Sequence, residues 1–276
     1  MKKTLSIFLF ISFFSFAQND SKTQLDITYL LEQNINYRVG NSYINSRCVL
    51  DIYVPKNTKN YSTIVYFHGG ALKQGNKYIP EYLKNKGLGV VAVNYRFYPD
   101  VSTSAVLDDT AKAVKWVYDN IEKYGGSKSL IFLSGHSAGG YISSMLGLDK
   151  SYLNKYDIDP NTLAGLIPLS GHTITHMTVR EEMGIPITKP FVDNMSPLFH
   201  IGPDTPPYIM ITGDRELELL GRYEENAYMQ RMMLVVGNEK SELYEIEGYG
   251  HNMVYPSIPI LLKRVNEISE KIKKIN

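Results

Sequence analysis

Cysteine is nearly absent: Cys48 is the only one in 276 residues. That excludes an intramolecular disulfide and any metal site built from a cysteine cluster, so stability has to come from packing. An excess of one charge is also missing, with 29 Lys and Arg against 28 Asp and Glu. A balanced chain has no net field to draw in nucleic acid or an anionic membrane, and a small, mainly uncharged substrate suits it better. Long apolar runs are confined to Leu5–Phe16, well short of the roughly 20 residues that cross a bilayer. Met1-Lys2-Lys3 before that run and Ser15-Phe16-Ala17 after it have the form of a secretory signal, with cleavage expected after Ala17. No cysteine follows the run, which argues against a lipid anchor. The expectation is that residues 1–17 are removed and that residues 18–276 act as one exported domain, periplasmic or secreted, without stable membrane insertion.

What is present is 43% hydrophobic sequence, enough to bury one sizeable core, arranged as short β-rich runs alternating with helical patterns. After a polar leader from Asn19 to about Asn45, strands are predicted over 49–54, 63–67, 89–94, 130–134, 164–170, 208–212 and 242–246. Several are continuously apolar, as buried parallel strands are. Val106, Thr110, Ala113, Val117 and Ile121 recur at helical spacing, and Leu261, Val265, Ile268, Ile272 and Ile275 form a second stripe. The alternation predicts an α/β fold with a mainly parallel sheet and helices on both faces. Residues 171–207 break the rhythm with six prolines among apolar residues, which suggests a cap over a substrate pocket; Ile174, Met177 and Phe191 are its expected lining.

Strand 130–134 runs straight into Gly135-His136-Ser137-Ala138-Gly139-Gly140 and then into helical composition. Strand, sharp turn and helix around G-x-S-x-G push the Ser137 hydroxyl out of the sheet as a nucleophile, with glycines clearing space beside it. His68-Gly69-Gly70-Ala71 follows another strand and offers backbone N–H groups at close range. Together with the N–H of Ala138, those of Gly69 and Gly70 suit an oxyanion hole, where losing one donor costs about 3 to 4 kcal/mol of transition-state stabilisation. Gly248-Tyr249-Gly250-His251 follows a late strand and supplies the general base. The acid is expected among Asp214, Glu216 and Glu218 after Thr212-Gly213. Counting three positions from Gly213 selects Glu216, with Asp214 the alternative, because an aspartate so near the strand tends to turn back onto its own loop's N–H groups. Nucleophile, acid, histidine is the chain order of α/β-hydrolases.

The remaining histidines are assigned lesser roles. His68 and His136 belong to the two motifs and tune or pack them; His200 is structural. His172 and His176 stand four apart, so a shared helix face binding a metal is conceivable, although no third ligand stands nearby in sequence.

These motifs, together with Asn94-Tyr95-Arg96-Phe97-Tyr98-Pro99 and Thr212-Gly213-Asp214-Arg215-Glu216, make the chain resemble the carbohydrate-esterase and hormone-sensitive-lipase-like branches of the α/β-hydrolase superfamily, such as carboxylesterases and acetyl xylan or feruloyl esterases. The resemblance implies a Ser-His-acid triad of Ser137, His251 and Glu216, an oxyanion loop at His68-Gly69-Gly70, no metal and no cofactor. The acid in such proteins is usually aspartate, whereas the matching position here is Glu216. The expected function is serine carboxylesterase action on a small-acyl ester, a small molecule or a carbohydrate. A serine exopeptidase and a non-catalytic binding protein of the same fold are the alternatives. Relative turnover of peptides and esters separates the first, and labelling of Ser137 by a fluorophosphonate separates the second.

Overall fold

A computed structural model of the chain describes residues 27–275. The expected secretory signal lies outside them. Eight strands form one sheet in the order β1-β2-β4-β3-β5-β6-β7-β8. They are β1 Tyr29–Asn36, β2 Val49–Pro55, β3 Tyr61–Phe67, β4 Gly89–Val93, β5 Gly126–His136, β6 Gly165–Leu169, β7 Tyr208–Gly213 and β8 Ser241–Ile246. From β4 to β8 all neighbours are parallel, and β2 pairs antiparallel with both β1 and β4. Seven of these strands overlie the predicted ones.

The exception is β1, which falls in the stretch read as a polar leader. It is an edge strand with exposed or half-buried side chains, and its sequence YLLEQNIN carries no apolar alternation to mark it. Main-chain pairing with β2 holds it in place.

The helices are α1 Ser42–Arg47, α2 Thr103–Asn120, α3 Ala138–Leu148, α4 Lys150–Asn154, α5 Met177–Glu182, α6 Arg222–Val235 and α7 Val254–Ile275. Strand residues alternate between two cores because successive Cβ atoms point to opposite faces. In β3, Val65 and Phe67 join a core with Val106 and Val114 of α2, Ile142 of α3 and Met229 of α6. Ile64 and Tyr66 join the other, with Leu261, Val265 and Ile268 of α7. The α7 stripe runs out at its end, where Ile275 is exposed. No helix among the described residues is long and apolar enough to cross a membrane.

Candidate active site

Ser137 sits between β5 and α3 with φ 58° and ψ −115°, a conformation that side-chain-bearing residues rarely hold without support. Support comes from both sides: the Ser137 N–H donates to the Leu169 carbonyl of β6 at 2.9 Å, and the Ser137 carbonyl accepts from Tyr141 N–H at 3.0 Å. The flanking glycines are required by close approach. A Cβ on Gly135 would stand 2.4 Å from the Phe67 carbonyl oxygen, and one on Gly139 would stand 2.0 Å from the same atom. The elbow therefore nests against the end of β3, bringing Ser137 beside the loop that opens with His68.

That loop is held with its carbonyls turned away. Tyr95 Oη donates to the His68 carbonyl at 2.7 Å, and His68 Nδ1 lies 2.6 Å from the Gly69 carbonyl, to which it donates. Burial lowers the His68 pKa to about 4, so the ring is neutral, and it stacks on Tyr95 with centroids 4.3 Å apart. In a trans peptide the N–H points opposite to the carbonyl of the same plane, so fixing the His68 and Gly69 carbonyls aims the N–H groups of Gly69 and Gly70 the other way. Neither N–H, nor that of Ala138 at the start of α3, donates to a backbone carbonyl or side chain among the described residues. A Cβ on Gly69 would come 3.3 Å from Ser137 Cβ, so this loop lies directly beside the serine. The Asn94–Pro99 motif supports the same loop: Tyr98 N–H donates to Leu72 O at 3.0 Å, and Arg96 clamps buried Asp109 of α2 through two 2.7 Å bonds.

His251 Nε2 lies 2.9 Å from Ser137 Oγ. The carboxylate at its other nitrogen is that of Glu218, with Oε2 3.0 Å from Nδ1. This corrects the expectation for Glu216, and the Asp214 alternative with it. Immediately after β7 the chain makes one helical turn, in which Glu218 N–H donates to Asp214 O at 2.9 Å. Residues four apart share a face of such a turn, while the residue between them points away. Glu216 is accordingly exposed and does not bond His251. Asp214 does turn back on the loops: Oδ1 accepts from Glu216 N–H at 2.9 Å and Oδ2 from Gly248 N–H at 2.8 Å. It staples the acid loop to the histidine loop instead of meeting the ring. Arg215 takes no part, since it pairs with Glu245 at 2.7 Å.

Two residues support this pair through contacts that the motif reading did not specify. Ser170, one residue past β6, donates to Glu218 Oε1 at 2.5 Å, and its oxygen lies 2.9 Å from His251 Nδ1. Gly213 and Leu219 N–H groups bring the Glu218 carboxylate to four donors. Burial pushes the Glu218 pKa up, but the bonds from His251, Ser170 and Leu219 N–H outweigh it and bring the value down to about 2. The network therefore assigns Nδ1–H of His251 as donor and leaves Nε2 as acceptor for the Ser137 hydroxyl. His136 is the second: its Nε2 donates to the His251 carbonyl at 2.7 Å, and burial, aided by His251, lowers its pKa to about 4 and keeps it neutral. The G-x-S-x-G pattern shows His136 but not its target, which lies on a loop 115 residues away in sequence.

His172 and His176 share no helix face. His176 caps α5, accepting from Thr178 N–H at 3.1 Å, and both nitrogens of His172 are taken by Glu225 and Arg222, each at 2.8 Å. Among the described residues no group of three or more His, Cys, Asp or Glu has the arrangement of a metal site. The segment between β6 and β7 carries α5, which touches the His68–Ala71 loop through Thr178 Oγ1 on the Ala71 carbonyl at 2.5 Å. Of the expected lining, Ile174 faces a cavity with Arg180. Met177 and Phe191 are half-buried, and the Phe191 carbonyl accepts from Thr175 N–H at 3.1 Å.

Comparison with known proteins agrees with this architecture. The BD-FAE family model matches residues 50–164, from β2 to the threshold of β6. Esterase LipC of Mycobacterium tuberculosis is 25% identical over 236 residues, covering 74% of this chain and 56% of that protein. A probable isoprenylcysteine alpha-carbonyl methylesterase of Oryza sativa is 30% identical over 132 residues, 41% of this chain and 32% of the other. The chain spans about half or less of the length of these curated relatives. Among solved structures, a truncated carbohydrate esterase from gut microbiota superposes with a TM-score of 0.73 at 19% identity, covering 89% of this chain and 98% of that one. The butyrate-bound esterase 2 of Thermogutta terrifontis superposes with a TM-score of 0.67 at 21% identity, covering 89% and 94%. Strand order, serine elbow and the structural likenesses show the α/β-hydrolase fold, and over residues 50–164 the chain is similar to the BD-FAE family.

Proposed function

We propose that the protein is a serine carboxylesterase acting on small-acyl esters. The observation that carries this reading is the continuous relay from Ser137 Oγ through His251 to Glu218, at 2.9 and 3.0 Å, beside three unpaired backbone N–H groups. His251 Nε2 takes the Ser137 proton as Oγ attacks the acyl carbon. Negative charge develops on the former carbonyl oxygen and is met by the N–H groups of Gly69, Gly70 and Ala138. The imidazolium, stabilised by Glu218, returns the proton to the departing alcohol; water, activated by the same histidine, then releases the acyl group.

A carbohydrate ester is the preferred substrate class, and export of the mature chain would bring the enzyme to it. The esterase names of the relatives and the carboxylate bound in the Thermogutta esterase support ester chemistry over peptide cleavage. Hydrolysis of 4-nitrophenyl acetate tests the reading. Ser137→Ala should lower kcat on the order of 10⁶-fold and abolish labelling by a fluorophosphonate. Equal rates in the two proteins would refute it.

A further inference from the structure

Two arginines, Arg180 of α5 and Arg222 of α6, lie buried near Glu225, and their surroundings differ. Arg222 uses its whole guanidinium: Nε donates to Glu225 Oε1 at 2.8 Å, one terminal nitrogen bonds the Ser170 carbonyl, and the other lies 2.8 Å from His172 Nε2. Arg180 is 3% exposed and makes one bond, from a terminal nitrogen to the Lys189 carbonyl at 2.6 Å. Its Nε has no partner, and no carboxylate among the described residues comes within ion-pair distance of it. Taking a guanidinium out of water costs several kcal/mol, which one carbonyl does not offset. The local charge is unbalanced as well. Arg180 and Arg222 face the single carboxylate of Glu225, while burial depresses the pKa of both His172 and His176 and keeps them neutral. Glu225 is already engaged by Arg222, His172 and the N–H groups of Thr173 and Ile174.

The unsatisfied guanidinium lines a cavity of about 270 Å³ whose other walls are Ile174, Ile187, Thr188, Pro190 and Leu220. Leu220 follows Glu218 by two residues, and α5, which carries Arg180, is tied to the oxyanion loop by Thr178 and by the Lys73–Glu181 ion pair at 2.7 Å. The cavity is thus built from segments that follow the carboxyl ends of β6 and β7, the end of the sheet at which Ser137 follows β5.

We propose that Arg180 binds a carboxylate of the ester substrate, so that the enzyme selects esters whose acyl or alcohol part is acidic. The inference rests on the esterase reading and adds the substrate class to it. A planar carboxylate accepts two parallel N–H bonds from a guanidinium and supplies the missing negative charge, while the apolar walls pack against the body that bears it.

Two matched pairs test it: mono(4-nitrophenyl) glutarate against 4-nitrophenyl pentanoate for the acyl side, and acetylated glucuronic acid against acetylated glucose for the alcohol side. In one pair the wild type should favour the acidic member, and Arg180→Gln should reduce that preference in kcat/KM by roughly 10- to 100-fold, the worth of a charge-assisted bond. Ile187→Glu, placed on an exposed wall, offers Arg180 an internal carboxylate and should also erase the preference, which covers the case in which Arg180→Gln does not fold. Calorimetric titration of Ser137→Ala with glutarate, glucuronate and inorganic phosphate measures the subsite without turnover. A carboxylate should bind there and fail to bind after Arg180→Gln. Preference for the neutral member in both pairs, a preference unchanged by both variants, or phosphate binding as tightly as the carboxylates would overturn the assignment. Absence of turnover on all four esters would instead defeat the esterase reading, and the calorimetry would still decide the subsite.

Discussion

Glu218 stands 3.0 Å from Nδ1 of His251, and Glu225, a little further along the chain, stands 2.8 Å from Nδ1 of His172. Each glutamate is buried and each orients a ring, yet the chemistry open to the two histidines is opposite. Nε2 of His251 faces the Ser137 hydroxyl, and the ring keeps 20% of its side-chain surface accessible; Nε2 of His172 is capped by Arg222, and its side chain is 3% accessible. The charges are also spent differently. Glu218 accepts only from neutral donors besides the histidine, so its charge remains available to an imidazolium, whereas that of Glu225 is drawn to Arg222. A glutamate–histidine pair is thus a base when the far nitrogen meets a nucleophile, and a brace when that nitrogen meets a cation.

The largest test of this contrast is Glu218→Gln, which should reduce kcat on the order of 10⁴-fold on a simple ester, as loss of a triad carboxylate does. Glu216→Gln, at the exposed position, should change kcat by less than about threefold, in line with surface substitutions. If Glu216→Gln proved the damaging variant, the two loops would have been paired wrongly. Glu225→Gln probes the other side. It leaves Arg222 and His172 without their counter-charge and should destabilise the protein by about 3 to 5 kcal/mol in urea titration. Turnover per folded molecule should stay within a few-fold; a collapse of kcat at unchanged stability would erase the distinction between base and brace.

A smaller effect should appear with acid. The folded-state pKa of Glu218, about 2, lies below the ordinary glutamate value near 4.5. A carboxylate with a depressed folded pKa contributes stability above its unfolded pKa and loses it as pH falls toward the folded one. The stability difference between wild type and Glu218→Gln should therefore be constant above about pH 5 and close progressively toward pH 2. Urea midpoints at pH 7, 5 and 3 measure it, and a gap that widened on acidification would place the histidine's brace elsewhere.

Much of this site could be read before the fold was known, because local chemistry dictates it. A serine between glycines, after an apolar run and before helical composition, points to a tight strand-to-helix turn, and paired glycines after another strand leave N–H groups accessible. Seven strands declared themselves through apolar runs, whereas β1 did not, since an edge strand is held by main-chain pairing that side chains do not report. The sequence by itself determined the elbow, the glycine loop, the histidine that meets the serine and the order in which they follow the strands. Tertiary structure alone decided which carboxylate meets His251, because one helical turn after β7 carries Glu218 inward and Glu216 out. It also decided that Ser170 and His136 support that pair, and that Arg180 is buried beyond the reach of any carboxylate among the described residues. Those outcomes depend on where separate loops converge at the carboxyl ends of the strands, and residue spacing along one strand-to-loop segment carries no information about the distance to another.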